Sequence, residues 1–247
     1  MAHQFPYDAG MTPTDLRHNI SEISRRIRAA EHAAGRPPGA VSLLAVSKKK
    51  SSELIRWAHQ AGLTDFGENY AQEMAEKATQ LSDLGLSWHC IGPIQSNKTG
   101  LIAEFSDWVH SLDRLKIAQR LSDQRPPEKG PLKVLLQVKT SDEASKSGVQ
   151  PDALKTLIDA VEALPNLQLG GLMTIPAPSA QPAAQRVPFR QLRALQQSLV
   201  GHNPKLAILS MGMSSDLEAA IAEGSDLVRV GTDIFGEIGR ASCRERV

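Results

Sequence analysis

Hydrophobic residues recur every three or four positions near the start of the chain, as they do on one face of an α-helix. The residues with this spacing are Leu16, Ile20, Ile23 and Ile27. The pattern predicts a helix that packs one apolar face against the rest of the protein. Thr12-Pro13 precedes it with a capping hydroxyl and a proline suited to the first turn, and the glycines and prolines of residues 35–39 end it.

After this helix, short apolar runs alternate with amphipathic stretches. The apolar runs predict strands at 41–46, 65–67, 87–92, 108–110, 133–138, 167–173, 206–209 and 227–230. Amphipathic periodicity predicts helices between them, at 52–61, 69–81, 97–104, 112–122, 152–163, 188–200 and 215–222. Residues 176–188 are rich in proline and alanine, and we interpret them as a loop between a strand and a helix.

About eight such units fit the length of a single TIM-type (β/α)8 barrel, here preceded by one extra helix. We therefore assign the α/β fold class and place the barrel at residues 1–236. A doubly wound open sheet is the main alternative. However, no GxGxxG motif follows the first strand, and no change in composition marks a second domain.

Composition and charge narrow the classes of partner. Aromatic residues make up 4% of the chain and the net charge is +1, so neither base stacking nor a global field favours nucleic acid or an anionic membrane. No apolar run approaches the roughly 18 residues of a membrane span, and the first residues lack a secretory pattern. We expect a soluble, cytoplasmic protein. Cysteines and histidines show no metal-ligand spacing, so we expect no metal.

The last eleven residues, 237–247, are interpreted separately. They can be encoded by codons that reproduce a common sequencing adapter, which suggests a non-native tail. An ordinary basic tail is the alternative. We therefore leave this segment out of the predicted barrel.

The first strand leads directly into three lysines. In such barrels, residues just past the C-terminal ends of strands line the active face. Strand alternation directs Val46 and Lys48 to one side and Ser47 to the other. Lys48 is therefore expected in the mouth of the barrel, where partial desolvation lowers an amine's pKa toward Schiff-base chemistry. A solvated loop is the alternative.

Two loops at neighbouring strand ends carry donors for an anion. Residues 210–215 lead into a helix, and Ser215 and Glu218 have the spacing of a capping box. Gly231-Thr232 follows the eighth strand. The glycine allows an anion to approach the backbone closely, and the threonine adds a hydroxyl donor. Because the loops after strands seven and eight form the usual phosphate site of these barrels, we predict a phosphate cradle, with helix capping alone as the alternative. Asp216 would repel phosphate, so we assign it to solvent or to capping.

A Schiff-base lysine opposite a phosphate cradle is the arrangement expected for pyridoxal 5′-phosphate (PLP), which carries an aldehyde and a phosphate. Six segments, in order, also resemble the YggS/PROSC family of pyridoxal phosphate homeostasis proteins. They are residues 44–48, 66–70, 88–98, 171–173, 210–214 and 228–232. The resemblance covers nearly the whole chain to Gly236.

This resemblance implies the fold of the alanine racemase N-terminal barrel, without the racemase's second domain. It implies a covalent aldimine between PLP and Lys48, with Arg229 facing the pyridine nitrogen. The residues implied around the phosphate are Ser210, Met213, Ser214, Gly231 and Thr232. Those implied at the rim are Asn69, Ser96 and Asn97, and Met173 is a further packing contact. At Asp233 the chain departs from the family, which usually has a small apolar residue there.

Three functions are compatible with these residues. The first is a monomeric, non-catalytic PLP carrier or buffer that affects amino-acid and keto-acid balance and passes PLP to PLP-dependent apoenzymes. The second is a PLP-dependent amino-acid racemase acting through Lys48, and the third is a cofactor-free aldolase. We favour the first and assign no catalytic residue, for two reasons. The guanidinium of Arg229 cannot accept the proton that makes PLP a strong electron sink. Racemisation also needs an acid–base group opposite Lys48, and the resemblance implies that in alanine racemase this group comes from the second domain of a partner subunit, which we do not expect here.

Other candidate residues receive structural interpretations. Glu68 is either a general base or a cap for the helix that follows it. His89 and His110 lie in or next to strands and are interpreted as core imidazoles. Cys90 is interpreted as a buried, inert thiol.

Overall fold

A computed structural model describes residues 10–141, 147–201 and 203–237. Eight parallel strands form a closed barrel in which each strand pairs with the next and β8 pairs with β1. They are β1 (Ser42–Val46), β2 (Asp65–Glu68), β3 (Ser87–Cys90), β4 (Trp108–Leu112), β5 (Leu132–Gln137), β6 (Leu167–Met173), β7 (Ile208–Met213) and β8 (Leu227–Val230). The prediction of a single TIM-type barrel is confirmed, and the open-sheet alternative is wrong.

Helices surround the barrel and connect its strands. They are α1 (Pro13–Ala33), α2 (Ser52–Gln60), α3 (Ala71–Gln80), α4 (Thr99–Phe105), α5 (Leu115–Gln124), α6 (Leu154–Glu162), α7 (Pro182–Val200), α8 (Leu217–Ala222) and α9 (Thr232–Phe235). Short 3-10 helices lie at Ser82–Leu84, Ser96–Lys98, Pro127–Lys129 and Pro151–Ala153. Helices on the outside and side chains on the inside bury both faces of the strands, which explains their nearly continuous apolar runs.

The extra helix α1 has the predicted start and the predicted apolar face. Thr12 Oγ1 accepts a hydrogen bond from the Asp15 amide at 3.2 Å, and Asp15 Oδ2 accepts one from the Thr12 amide at 3.0 Å. The four predicted apolar positions, Leu16, Ile20, Ile23 and Ile27, are all buried. They pack α1 against α2, α8 and α9, so that this helix covers the region around β8.

Residues 176–188 are not all loop, contrary to the sequence prediction. Helix α7 begins at Pro182, in the first turn, where a missing N–H costs no helical hydrogen bond. Pro188 lies inside the same helix. Tertiary packing outweighs the local proline signal, because Phe189 and Leu192 bury one face of α7.

Strand β7 extends further than its sequence pattern predicts. It continues to Met213 rather than ending at Leu209, so residues 210–213 are strand rather than loop. In the described part of the chain, no helix is long and apolar enough to cross a bilayer. The same residues contain no group of three His, Cys, Asp or Glu side chains placed to hold a metal ion. Except for Glu237, the suspected tail lies outside the described residues.

Candidate functional site

A cavity of about 630 Å³ lies at the C-terminal ends of the strands, the face where barrels of this type carry their sites. Seven of the predicted site residues line it: Lys48, Asn69, Met213, Ser214, Arg229, Gly231 and Thr232. Another cavity, of about 650 Å³, lies beside α7 and contains Lys139. We place the candidate site in the first cavity, because it brings together the predicted amine, guanidinium and hydroxyl groups.

Lys48 reaches this cavity because of the alternation along β1. Val46 and Lys48 both line the cavity, as expected for residues two positions apart on an extended strand. Ser47 is fully buried on the other side, where its hydroxyl donates to Glu68 Oε1 at 2.6 Å. The end of β1 therefore directs the Lys48 side chain into the cavity and the Ser47 side chain to the opposite side, where Glu68 holds it.

The turn after Lys48 is held by a buried network of charged groups. Lys49 has a φ of 59°, in the left-handed region that non-glycine residues rarely adopt, and its amide donates to Glu73 Oε1. The Lys77 ammonium donates to Ser47 O at 2.7 Å and to the carboxylates of Glu68 and Glu73 at 2.8 and 2.7 Å. These contacts fix the backbone on both sides of Lys48.

Glu68 belongs to this network and not to the cavity wall. Burial raises the pKa of its carboxyl group to about 7, although the Lys77 ammonium opposes the shift. Its side chain bonds Ser47 and Lys77, and helix α3 has no side-chain cap. Glu68 therefore supports the turn that follows Lys48, and neither of the roles considered from the sequence describes its contacts.

Arg229 is a buried cation at the wall of the cavity. Its Nη1 donates to Ser210 Oγ at 2.7 Å, and its Nη2 donates to Thr174 O at 2.9 Å. Burial lowers the pKa of the guanidinium to about 10, so the group stays protonated at neutral pH. Its orientation is fixed by two neutral oxygen acceptors.

The predicted cradle lies between the ends of β7 and β8, where Ser214, Ser215, Gly231 and Thr232 line the cavity. The predicted capping box is wrong: Asp216 is the residue that precedes α8, and Glu218 bonds Arg26 instead. Asp216 is also buried rather than solvent-exposed, and its Oδ1 accepts the Met213 amide hydrogen at 2.6 Å. It thus shapes the end of β7.

Arg26 of α1 holds this cradle in place, a role that no local sequence pattern indicates. Its guanidinium donates to Ser214 O at 3.0 Å, to Asp233 Oδ2 at 2.8 Å and to both carboxylate oxygens of Glu218 at 2.8 and 3.0 Å. Asp233, at the position where the family departure was noted, is therefore an ion-pair partner of the extra helix.

Four predicted site residues do not line the cavity. Ser96 and Asn97 lie in the short helix after β3, where Ser96 O accepts from Arg120 Nε at 3.0 Å. Met173 is fully buried at the end of β6. Ser210 is also fully buried, and it contacts Arg229 rather than the cavity.

Other lining residues were not among the predicted site residues. They are Val46, Lys50, Ile91, Gly92, Pro93, Ile175, Ser215, Asp233 and Gly236. Most follow a strand end, so position in a β/α unit was the signal that identifies them. Among the glycines that line the cavity, Gly92 is the most tightly packed, because a Cβ there would lie 2.2 Å from the Asn69 carbonyl oxygen. Only glycine allows these two strand ends to approach so closely.

The donor set of the cavity fits PLP. An amine for the aldehyde comes from Lys48, a fixed guanidinium comes from Arg229, and hydroxyl donors come from Ser214 and Thr232. The carboxylate in the wall, Asp233, is already paired with Arg26 at 2.8 Å. The cavity therefore offers a phosphorylated aldehyde an excess of donors and cations.

Two sequence relatives share one name, and one family model also matches the chain. The family model for the N-terminal domain of alanine racemase matches residues 14–238. The pyridoxal phosphate homeostasis protein of Pseudomonas aeruginosa is 58% identical over 221 residues, covering 90% of this chain and 95% of the relative. The protein of the same name from Escherichia coli K12 is 49% identical over 225 residues, covering 90% and 96%.

Solved structures agree with this assignment. PipY of Synechococcus elongatus PCC7942, solved with PLP bound, is 35% identical with a TM-score of 0.77, covering 90% of this chain and 100% of PipY. Alanine racemase of Clostridium difficile 630 is 14% identical with a TM-score of 0.71, covering 92% and 58%, a likeness of fold alone. The resemblance seen in the sequence is confirmed. The chain belongs to the alanine racemase N-terminal domain family and, within it, to the pyridoxal phosphate homeostasis proteins.

Proposed function

We propose that this protein binds PLP covalently at Lys48 and acts as a PLP carrier or buffer rather than as an enzyme. The observation that carries the proposal is the convergence of Lys48, Arg229 and the Ser214–Thr232 cradle on one cavity. When bound, PLP supplies an aldehyde that reacts with amines. The Lys48 amine would condense with that aldehyde, with loss of water, and would hold the reactive group on the protein.

The remaining groups bind the two polar ends of the ligand. Ser214 and Thr232 would donate hydrogen bonds to the phosphate, and the exposure of Thr232 leaves this end of the cavity accessible. Arg229 would face the pyridine nitrogen as a permanent donor that cannot accept a proton. A guanidinium at that position would disfavour protonation of the ring and so weaken its action as an electron sink.

Racemisation also needs a second acid–base group opposite Lys48. The residues that line the cavity favour a carrier over a racemase. Among the described residues of its lining, none is a histidine, tyrosine or cysteine. Lys50 Nζ donates to backbone carbonyls at the end of the barrel, and Asp233 is paired with Arg26. Among the described lining residues, a second acid–base group would therefore have to be something other than a histidine, tyrosine, cysteine or unpaired carboxylate.

The proposal extends to the cellular role. Relatives named as pyridoxal phosphate homeostasis proteins support a role in limiting free PLP. We infer that this protein does so in the cytoplasm, as a monomer, and that it passes PLP to PLP-dependent apoenzymes. The accompanying effect on amino-acid and keto-acid balance follows from the chemistry of those enzymes.

Titration with PLP, followed by assays of turnover and transfer, tests the proposal. We expect a visible absorbance band to appear at one equivalent, and the loaded protein to activate a PLP-dependent apoenzyme. Racemisation of common amino acids with kcat near the ordinary range of roughly 1–10³ s⁻¹ would replace the carrier by the racemase. A colourless protein that instead cleaves a sugar phosphate through Lys48 would support the aldolase.

A further inference from the structure

A chain of hydrogen bonds crosses the inside of the barrel from β2 to β8. Asp65 Oδ1 lies 3.1 Å from His89 Nε2, and His89 Nδ1 lies 2.9 Å from His110 Nε2. His110 Nδ1 lies 2.9 Å from Ser210 Oγ, the same oxygen that accepts from Arg229 Nη1 at 2.7 Å. We call these five residues the interior chain. All of them except Asp65 are at most 3% exposed.

The interior chain connects two cavities at opposite ends of the barrel. A lower cavity of about 280 Å³ lies at the N-terminal ends of the strands, and Asp65, His89 and His110 are among its lining residues. Arg229 lines the upper cavity, where we place PLP. Asp65 is the solvent-facing end, because its side chain is 44% exposed.

The Asp65 end sets the direction of donation when the imidazoles are neutral, and the Arg229 end is consistent with that direction. The Asp65 carboxylate can only accept, so His89 Nε2 carries the hydrogen, which Ser87 Oγ at 3.1 Å can also accept. His89 Nδ1 then accepts from His110 Nε2. His110 Nδ1 is then an acceptor for the Ser210 hydroxyl, which in turn accepts from Arg229. Burial lowers the pKa of His110 well below its usual value, which favours this neutral form.

A stacked tryptophan holds the middle of the interior chain in place. The rings of His89 and Trp108 are 5.9 Å apart between centroids and inclined by 10°. The His89 and His110 rings meet edge to face at 5.1 Å. Packing therefore restricts both imidazole planes, and the ring nitrogens remain aligned with their partners.

We propose that His89, His110 and Ser210 are positioning residues that orient Arg229 through a one-directional chain of hydrogen bonds ending on Asp65. The negative end of the chain lies at Asp65 and the positive end at Arg229, so every bond is polarised in the same sense. Ser210, which was expected at the phosphate, instead fixes Nη1 of the guanidinium. The expected effect of this chain on PLP affinity rests on the proposed function. The positions of the hydrogens on His89 and His110 do not depend on it.

Nitrogen NMR of the ligand-free protein, uniformly labelled with ¹⁵N, reads these hydrogen positions directly. At pH 8 we expect His89 and His110 each to carry the hydrogen on Nε2 in the wild type. In Ser210→Ala we expect His110 to keep this tautomer, because Nε2 still donates to His89, and we expect the chemical shift of His110 Nδ1 to change because that nitrogen loses its donor. Asp65→Leu combined with Ser87→Ala should release His89, because it removes both acceptors at 3.1 Å from Nε2. Asp65→Asn should retain the tautomer because the amide oxygen still accepts.

Ser225→Ala is the matched control, because Ser225 is also fully buried but donates to Met211 O at 2.7 Å, outside the interior chain. It should leave the tautomers and PLP affinity unchanged, while Ser210→Ala raises the dissociation constant of PLP about tenfold or more. A hydrogen on Nδ1 of His110 in the wild type would overturn the proposal, as would an unchanged His110 Nδ1 chemical shift and an unchanged PLP affinity in Ser210→Ala. Failure of the wild type to bind PLP would instead overturn the proposed function.

Discussion

Arg26 and Glu218 form a bidentate ion pair that joins the extra N-terminal helix, α1, to α8. Arg26 Nε and Nη2 donate to the two carboxylate oxygens at 2.8 and 3.0 Å. The same guanidinium also reaches the Ser214 carbonyl, which belongs to the phosphate cradle. Helix α1 is thereby part of the support of the site, in addition to covering the barrel.

Replacing Arg26 tests this support. Arg26→Ala removes the bonds to Glu218, Asp233 and Ser214 together, so the cradle loses its brace. Partly exposed ion pairs contribute little individually. We therefore expect the binding free energy of PLP to weaken by about 1 kcal/mol, which is about a fivefold loss of affinity. Arg25→Ala is the control, because Arg25 bonds Glu22 on the same exposed face of α1 and, among the described residues, does not contact the cradle. Equal affinities for the two variants in a fluorescence titration would contradict the brace.

The cradle predicts that affinity depends on the phosphate. Each charge-assisted hydrogen bond contributes about 1.5–3 kcal/mol, so PLP should bind at least tenfold more tightly than pyridoxal. Thr232→Val should reduce that ratio, because it removes one donor from the cavity wall. Thr79→Val, on α3 outside the cavity, should leave it unchanged. Equal affinities of the wild type for the two ligands would show that the loops serve only the fold.

Glu68 predicts a particular pH dependence of stability. Its folded-state pKa of about 7 lies above the ordinary 4.5, so the folded protein keeps a proton that the unfolded chain releases between these values. The contribution of Glu68 to the free energy of unfolding therefore falls as pH rises from 4.5 to about 7, and is level above that.

In Glu68→Gln this contribution is absent. Urea unfolding should therefore show the stability of Glu68→Gln rising relative to the wild type by roughly 1–3 kcal/mol between pH 5 and pH 7.5. Glu76→Gln, at an exposed position of α3, provides the control. Parallel pH profiles for wild type and Glu68→Gln would contradict the raised pKa.

Cys90 is expected to be unreactive in the folded protein. Burial raises the pKa of its thiol to about 12, so almost no thiolate is present at pH 8. In Cys243→Ser, where Cys90 is the remaining cysteine of the sequence, iodoacetamide should label the protein only after urea is added. Rapid labelling of the folded variant, measured by intact mass, would show that the thiol is accessible and ionised.

Local patterns were sufficient to predict the barrel and the position of Lys48. Both depend on short-range rules: alternation within a strand directs a side chain, and the C-terminal ends of parallel strands meet on one face. Gly231 and Thr232 were found for the same reason. These predictions needed only the order of the elements along the chain.

Contacts between distant residues were not predictable in this way. Arg26 and Glu218 are 192 positions apart, and in the sequence Arg26 is simply a charge on a helix. His110 and Ser210 are 100 positions apart and meet only because β4 and β7 face each other across the barrel. The start of α7 was missed because buried Phe189 and Leu192 outweigh the prolines, which are a purely local signal.

Covalent attachment at Lys48 is the central claim, and borohydride reduction followed by peptide mass mapping tests it most directly. The wild type loaded with PLP should carry one reduced adduct, located on Lys48. Lys48→Ala should fold normally, because its partly exposed side chain contributes little packing, and it should carry no adduct at one equivalent of PLP. A full adduct mapped to Lys49 or Lys50, or retained in Lys48→Ala, would contradict the account.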